Sequence, residues 1–305
     1  MTVRLIYRSY GGENLKSRPE WFSKLLCAAS FARAAGRAGV EVLWLNDGPV
    51  PEDRMRLFTD FGEVQTIAGG PVGMRGSYVT ALKLAVESDW ADDDIVYFCE
   101  DDYLHTPDAV EVLHGLQARP EVSYLALHGG TPDYANEFEF PGGFRYPQGW
   151  PVHEGFTVGG HDFVHGVSTT STFGARVGAL RADYGIFRQA MIPFRRRFLD
   201  HETCVVYQGQ PPYRLHEHVT GPPRDFVPGV RGVLRAAVLV PFRVALTARS
   251  RQNARSPHWL FTASPNLAGH IEDDVLNPGR DWAALAEQTR EWAEQHGYMV
   301  PAVAH

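Results

Sequence analysis

Three consecutive carboxylates, Glu100, Asp101 and Asp102, directly follow an apolar run at residues 95–99. A run with almost no polar interruption predicts a buried strand, and open α/β sheets bind their ligands at the carboxyl ends of strands. Three adjacent anions in a cleft repel one another unless a cation neutralises them, and Mg²⁺ and Mn²⁺ prefer oxygen ligands. The pattern therefore favours a divalent metal site, and the alternative is a solvated acidic turn.

The first hundred residues alternate between strand and helix patterns. We predict strands at 3–8, 40–45, 63–67 and 94–99 and helices at 19–39, 52–61 and 77–87. Such alternation indicates a parallel sheet with right-handed crossovers, whose strand ends face one crevice. The predicted fold class is α/β, with a Rossmann-like, mostly parallel central sheet flanked by helices. Arg8, Asp47 and Arg75 should converge on the acidic turn.

The second half of the chain has long loops at 129–166 that are rich in glycine, proline and aromatic residues. Loops of this length usually carry a binding surface or a lid, although packing over a sheet edge would explain them equally well. Phe144, Tyr146, Trp150 and Phe156 could stack on a sugar or a base. We also predict strands at 122–127 and 167–173 and helices at 108–117, 181–186, 198–207 and 282–295.

The alternating elements, the acidic turn and a downstream Asp200-His201-Glu202 together resemble a GT-A glycosyltransferase of family-2-like type, over residues 3–270. Glu100-Asp101-Asp102 is similar to the Glu-Asp-Asp form of the Asp-any-Asp signature in N-acetylglucosaminyltransferases. The resemblance implies a UDP-linked sugar donor, a hydroxyl acceptor, and Mn²⁺ or Mg²⁺ bridging the diphosphate. It implies that Asp102 ligates the metal, while Glu100 and Asp101 assist through water or ribose. Residues 1–128 would bind the donor and 129–305 the acceptor, within one domain.

The same resemblance assigns residues at other strand ends to the nucleotide. Arg8 and Ser9, after the first predicted strand, would contact the nucleotide, and Asp47, after the second, would contact the base edge. Arg75 and Ser77 lie near a predicted helix N-terminus, where backbone amides and the helix dipole favour anions, so they could contact ribose or phosphate. The alternative for Ser77 is simple capping of that helix.

Asp200 and Glu202 resemble the acidic pair from which inverting GT-A enzymes draw their catalytic base. A carboxylate there would deprotonate the acceptor hydroxyl as it attacks the anomeric carbon. Capping of the helix that follows is the alternative, since both side chains would favour its N-terminus. Inversion is favoured, and which of the two carboxylates acts as the base is left open.

His270 resembles the C-terminal histidine that completes the metal shell in many GT-A enzymes, and a neutral imidazole is a suitable manganese ligand. The alternative is an exposed histidine without a role. His216 and His218, with His161 and His165, raise the question of a zinc hydrolase. No His-Glu-any-any-His helix or cysteine pair accompanies them, so we do not favour zinc.

Charge and composition limit the possible partners. The formal net charge is -7 at pH 7, which argues against nucleic-acid binding. The start of the chain lacks a basic flank before a long apolar region, so we expect no signal peptide and a cytoplasmic location. Residues 230–251 mix apolar residues with arginines and are interrupted by Pro241, too broken to span a membrane. We interpret them as a surface helix, a lid, or an amphipathic helix in peripheral contact with a membrane.

Two other functions fit parts of the pattern. A sugar-phosphate nucleotidyltransferase also uses a Rossmann-like sheet and acidic metal ligands, but it normally has a glycine-rich, cationic phosphate loop after the first strand. Gly11, Gly12 and Lys16 form a poor version of that loop. A non-catalytic nucleotide- or sugar-binding module is the other alternative.

Overall fold

The computed structural model describes residues 1–12, 16–130, 150–151, 153–191, 199–222, 227–273, 276 and 279–300. Among these residues, one sheet contains nine strands: β1 (Val3–Tyr10), β2 (Val42–Asp47), β3 (Gly62–Thr66), β4 (Ile95–Glu100), β6 (Val122–Ala126), β8 (Phe156–Val158), β9 (His161–His165), β11 (Phe173–Arg176) and β12 (Trp259–Ser264). Their spatial order is β3-β2-β1-β4-β11-β6-β12-β9-β8.

Two small ribbons lie beside this sheet. They pair β5 (Tyr103–His105) with β13 (Ala268–His270), and β7 (Gly129–Gly130) with β10 (Ser168–Thr169), both antiparallel. The helices are α1 (Lys24–Ala38), α2 (Glu52–Asp60), α3 (Gly73–Glu87), α4 (Glu111–Leu116), α5 (Val177–Ala190), α6 (Asp200–Tyr207), α7 (Glu217–Thr220), α8 (Val230–Val238), α9 (Val240–Asn253) and α10 (Trp282–Gln295).

The strand directions confirm the predicted α/β fold class with a mostly parallel sheet. Strands β3, β2, β1 and β4 are mutually parallel. In the rest of the sheet, β11 and β9 run opposite to their neighbours, while β6 and β12 are parallel to each other. Because β1 to β4 all end at one edge, their C-terminal residues meet there, as a parallel sheet requires.

Helices cover both faces of the sheet, which explains the nearly continuous apolar strands. Tyr7 and Trp44 face one buried cluster, which includes α1 and α2, while Ile6 and Leu45 face the other, which includes α3 and α5. A strand that is buried on both faces has no solvent-exposed side chains, and so its sequence is a nearly uninterrupted apolar run.

Several predicted boundaries were wrong. The first helix begins at Lys24 and not near Pro19, because the Ser23 hydroxyl accepts a 3.0 Å hydrogen bond from the Leu26 amide and caps it there. The predicted strand at 167–173 is two separate short strands, β10 and β11. The helix predicted at 181–186 extends over 14 residues as α5.

Candidate active site

The acidic turn lies at the carboxyl end of β4, and each of its three carboxylates has a different cationic partner. Glu100 ends β4, while Asp101 and Asp102 form the turn that leads into β5. Arg8 pairs with Glu100, Lys24 with Asp101, and Arg18 with Asp102. The mutual repulsion expected from the sequence is therefore relieved separately at each position.

Glu100 is held between two neighbouring elements. Arg8 is its register partner on β1, and the Arg8 Nη2 atom lies 2.7 Å from Glu100 Oε1. The Ser171 hydroxyl donates to Glu100 Oε2 at 2.5 Å. The Arg8 guanidinium also lies 5.0 Å from the ring centroid of Tyr78. Both carboxylate oxygens of Glu100 are thus engaged by the protein itself.

Asp101 secures the segment that follows β1. Its Oδ2 atom lies 2.9 Å from the Lys24 ammonium and accepts a 2.9 Å hydrogen bond from the Tyr10 amide. Lys24 also donates to the carbonyls of Tyr10 and Gly12 at 3.0 and 2.7 Å. Burial raises the pKa of Asp101, and the positive charge of Lys24 opposes that rise. This carboxylate has a structural role in the turn.

Asp102 has one occupied oxygen and one buried oxygen that lacks a partner. Its Oδ2 atom lies 2.9 Å from Arg18 Nη2 and 3.3 Å from His270 Nε2. Its Oδ1 atom is buried and has no hydrogen-bond partner among the described residues. A buried, unpaired carboxylate oxygen is costly, and an ion that it could ligate is one explanation.

His270 is brought to Asp102 by the pairing of β13 with β5, where it is the register partner of Tyr103. Glu272, two residues further on, places its Oε1 atom 2.8 Å from His270 Nε2. Among the described residues, Asp102, His270 and Glu272 form a group whose ligand atoms lie within 4.8 Å of one another. The two carboxylates supply the oxygen ligands that Mn²⁺ and Mg²⁺ prefer, and the imidazole is a further ligand that suits Mn²⁺ better than Mg²⁺.

The charges of this group depend strongly on one another. Burial alone would lower the pKa of His270, but the two carboxylates outweigh it and raise that pKa to about 9. Burial would raise the pKa of Glu272, yet His270 and Lys16 lower it to about 2. For Asp102, burial is likewise outweighed by His270 and Arg18, which hold its pKa well below the usual range. The protonated imidazole of His270 therefore supplies the positive charge that a bound dication would otherwise supply to Asp102 and Glu272.

Asp200 and Glu202 lie in the first turn of α6, where the helix dipole favours negative charge. The N-cap is Leu199, and it makes no side-chain capping hydrogen bond. Glu202 is only 1% exposed, whereas Asp200 is half-buried and lines a pocket. The pocket is also lined by Tyr78, Thr169, Thr170, Phe173, Phe187, Met191, Thr203, Cys204 and Tyr207. Asp200 is thus the more accessible of the two acids.

A short series of contacts joins this pocket to the metal-ligand group. The Tyr103 hydroxyl shares a 2.7 Å hydrogen bond with Thr170 Oγ1, and Thr170 lines the pocket beside Asp200. The Tyr103 ring stacks on His270 with ring centroids 4.7 Å apart. Tyr78, which also lines the pocket, contacts the Arg8 guanidinium. Contacts of the pocket lining therefore reach both the stacking partner of His270 and Arg8.

Asp47 caps a helix. Its two oxygens accept hydrogen bonds of 2.6 and 2.8 Å from the Val72 and Gly73 amides at the start of α3. The alternative that Ser77 caps this helix was therefore wrong, because Ser77 lies inside α3. Its hydroxyl donates to the Met74 carbonyl at 3.1 Å and accepts from the Arg8 guanidinium at 3.4 Å.

The remaining predicted nucleotide contacts lie near the same edge. Arg75 is half-buried in the first turn of α3. Ser9 and Asn46 are register partners at the ends of β1 and β2. The Ser9 hydroxyl and both amide atoms of Asn46 are buried and have no hydrogen-bond partner among the described residues. Asn46 was not singled out from the sequence, because it reads there as part of an Asn-Asp-Gly turn signal.

The histidines considered for zinc are dispersed. His161 contacts Asp108 and His165 contacts Gln208, at 2.8 and 2.9 Å. His218 contacts Thr247 at 2.9 Å. None of them belongs to a group of metal-ligand spacing within the described ranges. The structure gives His161, His165 and His218 hydrogen-bonding roles instead.

The aromatic residues of the long loops are partly accounted for. Trp150 stacks on His165 at 5.0 Å, and Phe156 packs on Phe163 at 5.6 Å. These contacts support the alternative that they pack over the sheet edge. Phe144 and Tyr146 lie outside the described residues.

Glu272 is the candidate ligand that sequence reasoning missed. A signal was present, because His270-Ile271-Glu272 places two ligand types two residues apart. That spacing directs two side chains to one side of an extended chain. The spacing alone, however, did not distinguish Glu272 from the acidic residues that follow it, because the sequence does not show which strand pairs with this segment.

No protein-family profile matches the sequence. No curated protein matches it either. Among solved structures, the chain is similar to TarS residues 1–349 from S. aureus, with 12% identity, a TM-score of 0.41, and coverage of 67% of this chain and 54% of that one. The chain thus spans about half the length of that structure.

Two further solved structures are similar in backbone arrangement. Glucosyl-3-phosphoglycerate synthase from Mycobacterium tuberculosis matches with 13% identity and a TM-score of 0.31, over 44% of this chain and 46% of that one. CMP:2-keto-3-deoxy-manno-octonic acid synthetase, complexed with CTP, matches with 15% identity and a TM-score of 0.39, over 97% and 100%. Because every TM-score is below 0.5, the function proposed below rests on the site itself.

Proposed function

We propose that this protein is a metal-dependent glycosyltransferase that moves a sugar from a nucleoside-diphosphate donor, UDP-linked, to a hydroxyl acceptor. The observation that carries the proposal is the group formed at the carboxyl end of β4 by buried Asp102 and half-buried His270 and Glu272. The unpartnered Oδ1 atom of Asp102 is the feature of that group which supports a bound cation.

Asp102, His270 and Glu272 would hold Mn²⁺ or Mg²⁺. A dication bound there stabilises the negative charge that develops on a diphosphate leaving group. Glu100 and Asp101 would assist by keeping the turn in place, since their oxygens already bind Arg8, Ser171 and Lys24.

The nucleotide would lie along the ends of β1 and β2 and the start of α3. Ser9 supplies an unpartnered buried hydroxyl there, while Arg8, Arg75 and Ser77 supply cationic and polar groups beside it. Asp47 would contact the base edge at the N-terminus of α3, where its carboxylate also caps the helix. This placement agrees with the general position of ligands at the ends of parallel strands.

Asp200 would act as the general base. Its carboxylate would take the proton of the acceptor hydroxyl while that oxygen attacks the anomeric carbon, the bond to the diphosphate breaks, and the nucleoside diphosphate leaves. Attack from the side opposite the leaving group inverts the anomeric configuration. We assign the base to Asp200 over Glu202 because Asp200 lines a pocket and Glu202 is almost fully buried.

A thermal-shift series tests the metal and donor part of the proposal. UDP and Mn²⁺ together should raise the melting temperature by more than either alone, because a ligand that binds only the native state stabilises it. Asp102→Asn should remove the Mn²⁺-dependent part of the shift, and Asp93→Asn, at an exposed carboxylate, should retain it. A UDP shift that is equal in EDTA and in Mn²⁺ would contradict the proposal.

Turnover distinguishes the remaining functions. Release of UDP from UDP-sugars in the presence of hydroxyl acceptors, lost in Asp200→Asn, supports transfer. Pyrophosphate release from an NTP and a sugar phosphate would instead identify a nucleotidyltransferase. Donor binding without any turnover would identify a binding module.

A further inference from the structure

Helices α8 and α9 present one long apolar stripe to the outside. They follow each other with a single residue between them, Leu239. Their outward-facing residues recur every three or four positions, the spacing of one helical face. Each of these residues is exposed: Val230, Val233, Leu234, Ala237, Val238, Pro241, Val244, Ala245 and Ala248.

The stripe is not a packing surface of the described fold. No residue of α8 is buried, and Val230, Val233, Leu234 and Val238 are between 62% and 77% exposed. The opposite face of α9, with Leu239 just before it, packs on the protein through buried residues at the same spacing: Leu239, Arg243, Leu246 and Ser250. Exposure of large aliphatic side chains on one continuous face marks an interaction site in a soluble structure.

The charge along the segment that carries the stripe has one sign. Residues 227–271 contain no aspartate or glutamate, although the whole chain carries a net charge of -7. One arginine of this segment, Arg243, points inward and donates hydrogen bonds to the carbonyls of His218 and Ala236. The segment's other arginines are exposed or half-buried: Arg231, Arg235, Arg249, Arg251 and Arg255.

Two of these arginines lie directly beside the stripe. Arg231 and Arg235 are four residues apart, so they share one side of α8, next to Leu234 and Val238. Within the part of the chain that the structure describes, neither makes a salt bridge. Long basic side chains beside an apolar face can place their charge at headgroup level while the apolar face enters the lipid.

We propose that α8 and α9 dock this protein on the surface of a bilayer that contains anionic lipids. The aliphatic stripe enters the boundary between headgroups and acyl chains, and Arg231 and Arg235 pair with lipid phosphates. A second copy is a poorer occupant, because apposing two such faces would bring arginines of like charge together. Within the described residues, no helix has both the length and the apolar character to cross a membrane, so the contact is peripheral.

Co-sedimentation of the full chain with vesicles tests this. The protein should bind vesicles of phosphatidylcholine with a quarter phosphatidylglycerol and bind pure phosphatidylcholine at least about tenfold more weakly. In high salt, binding to the anionic vesicles should fall to the level of pure phosphatidylcholine. Arg231→Ala/Arg235→Ala should reduce the partition coefficient on the anionic vesicles by about thirtyfold. Val233→Ser/Leu234→Ser should reduce it on both vesicle types, because these two side chains contribute apolar area.

Matched controls separate docking from general effects. Met299→Ser removes another exposed apolar side chain, and Arg37→Ala/Lys83→Ala removes two exposed positive charges away from α8. Both should bind as the wild type does, and all variants should keep the wild-type melting temperature. Absent binding, equal binding to both vesicle types, or equal loss in the controls would overturn the proposal. So would a stable dimer that Val233→Ser/Leu234→Ser dissociates. The outcome is independent of the proposed transfer activity.

Discussion

The ring of Tyr103 lies parallel to the imidazole of His270, with an interplanar angle of 3° and centroids 4.7 Å apart. Because the Tyr103 hydroxyl also contacts Thr170 at the edge of the Asp200 pocket, one side chain contacts both parts of the candidate site. Tyr103 is fully buried. It therefore fixes the orientation of His270 from a position that solvent does not reach.

Replacing Tyr103 in two ways should separate its two contacts. Tyr103→Phe keeps the stacking but leaves Thr170 without this partner, so we expect a loss of about 1 kcal/mol in the free energy of unfolding and nearly unchanged Mn²⁺ affinity. Tyr103→Leu removes the stacked ring and should weaken Mn²⁺ binding several-fold. Urea unfolding and calorimetric Mn²⁺ titration measure the two effects. Equal Mn²⁺ affinity in both variants would show that the ring does not position His270.

Mn²⁺ binding should strengthen with pH. The pKa of His270 is raised to about 9, and the imidazole must lose its proton before it can ligate a metal. We expect the apparent association constant to rise by about tenfold per pH unit between pH 6.5 and 8 and binding to release about one proton. Calorimetry in buffers of different ionisation enthalpy counts the proton. His270→Gln should bind more weakly and show a flat profile, and the same slope in that variant would contradict the assignment.

Without metal, stability should fall as the solution becomes alkaline. His270 has a folded-state pKa of about 9 and an ordinary unfolded value near 6.5, so its stabilising effect is complete below about pH 6.5 and is lost as the pH rises through 9. In EDTA, the free energy of unfolding should drop by about 3 kcal/mol over this range. Urea unfolding at each pH measures the drop. His270→Gln should abolish most of it, whereas exposed His296→Gln should leave it unchanged.

Lys24 and Asp101 should be strongly coupled. Lys24→Met leaves the buried Asp101 carboxylate without its cation and should destabilise the protein by about 3 kcal/mol. Adding Asp101→Asn should recover part of that loss, because the uncompensated charge is removed. Urea unfolding of the two single variants and the double variant gives the coupling energy. Simple additivity of the two losses would show that the pair does not interact energetically.

Asp47→Ala should destabilise the start of α3. Its carboxylate accepts from two amides there, and loss of an N-terminal cap costs about 1 kcal/mol. Ser23→Ala, which removes the cap of α1, is the matched control for stability. If Asp47 also helps to bind the base, only Asp47→Ala should weaken UDP binding in calorimetry. Equal UDP affinity in both variants would restrict Asp47 to capping.

The sequence was sufficient to predict the strands of the first half of the sheet and the position of the acidic turn. Strands β1, β2 and β4 are buried on both faces, so their apolar runs stand out from the amphipathic helices between them. Helix boundaries were harder to predict from the sequence, because a capping residue such as Ser23 decides where a helix begins. β8 and β9, at the far edge, were hidden in a segment that reads as loop.

The sequence by itself determined that Asp102 stands at the end of a buried strand, because strand periodicity and the order of residues along it are local properties. Only the tertiary structure decided which carboxylates already have cations and which oxygen remains unpartnered. His270 and Glu272 reach Asp102 through the pairing of β13 with β5, strands more than 160 residues apart. That pairing depends on backbone hydrogen bonds and on the burial of Tyr103 and Leu104 between distant elements, and no local pattern of residue types encodes it.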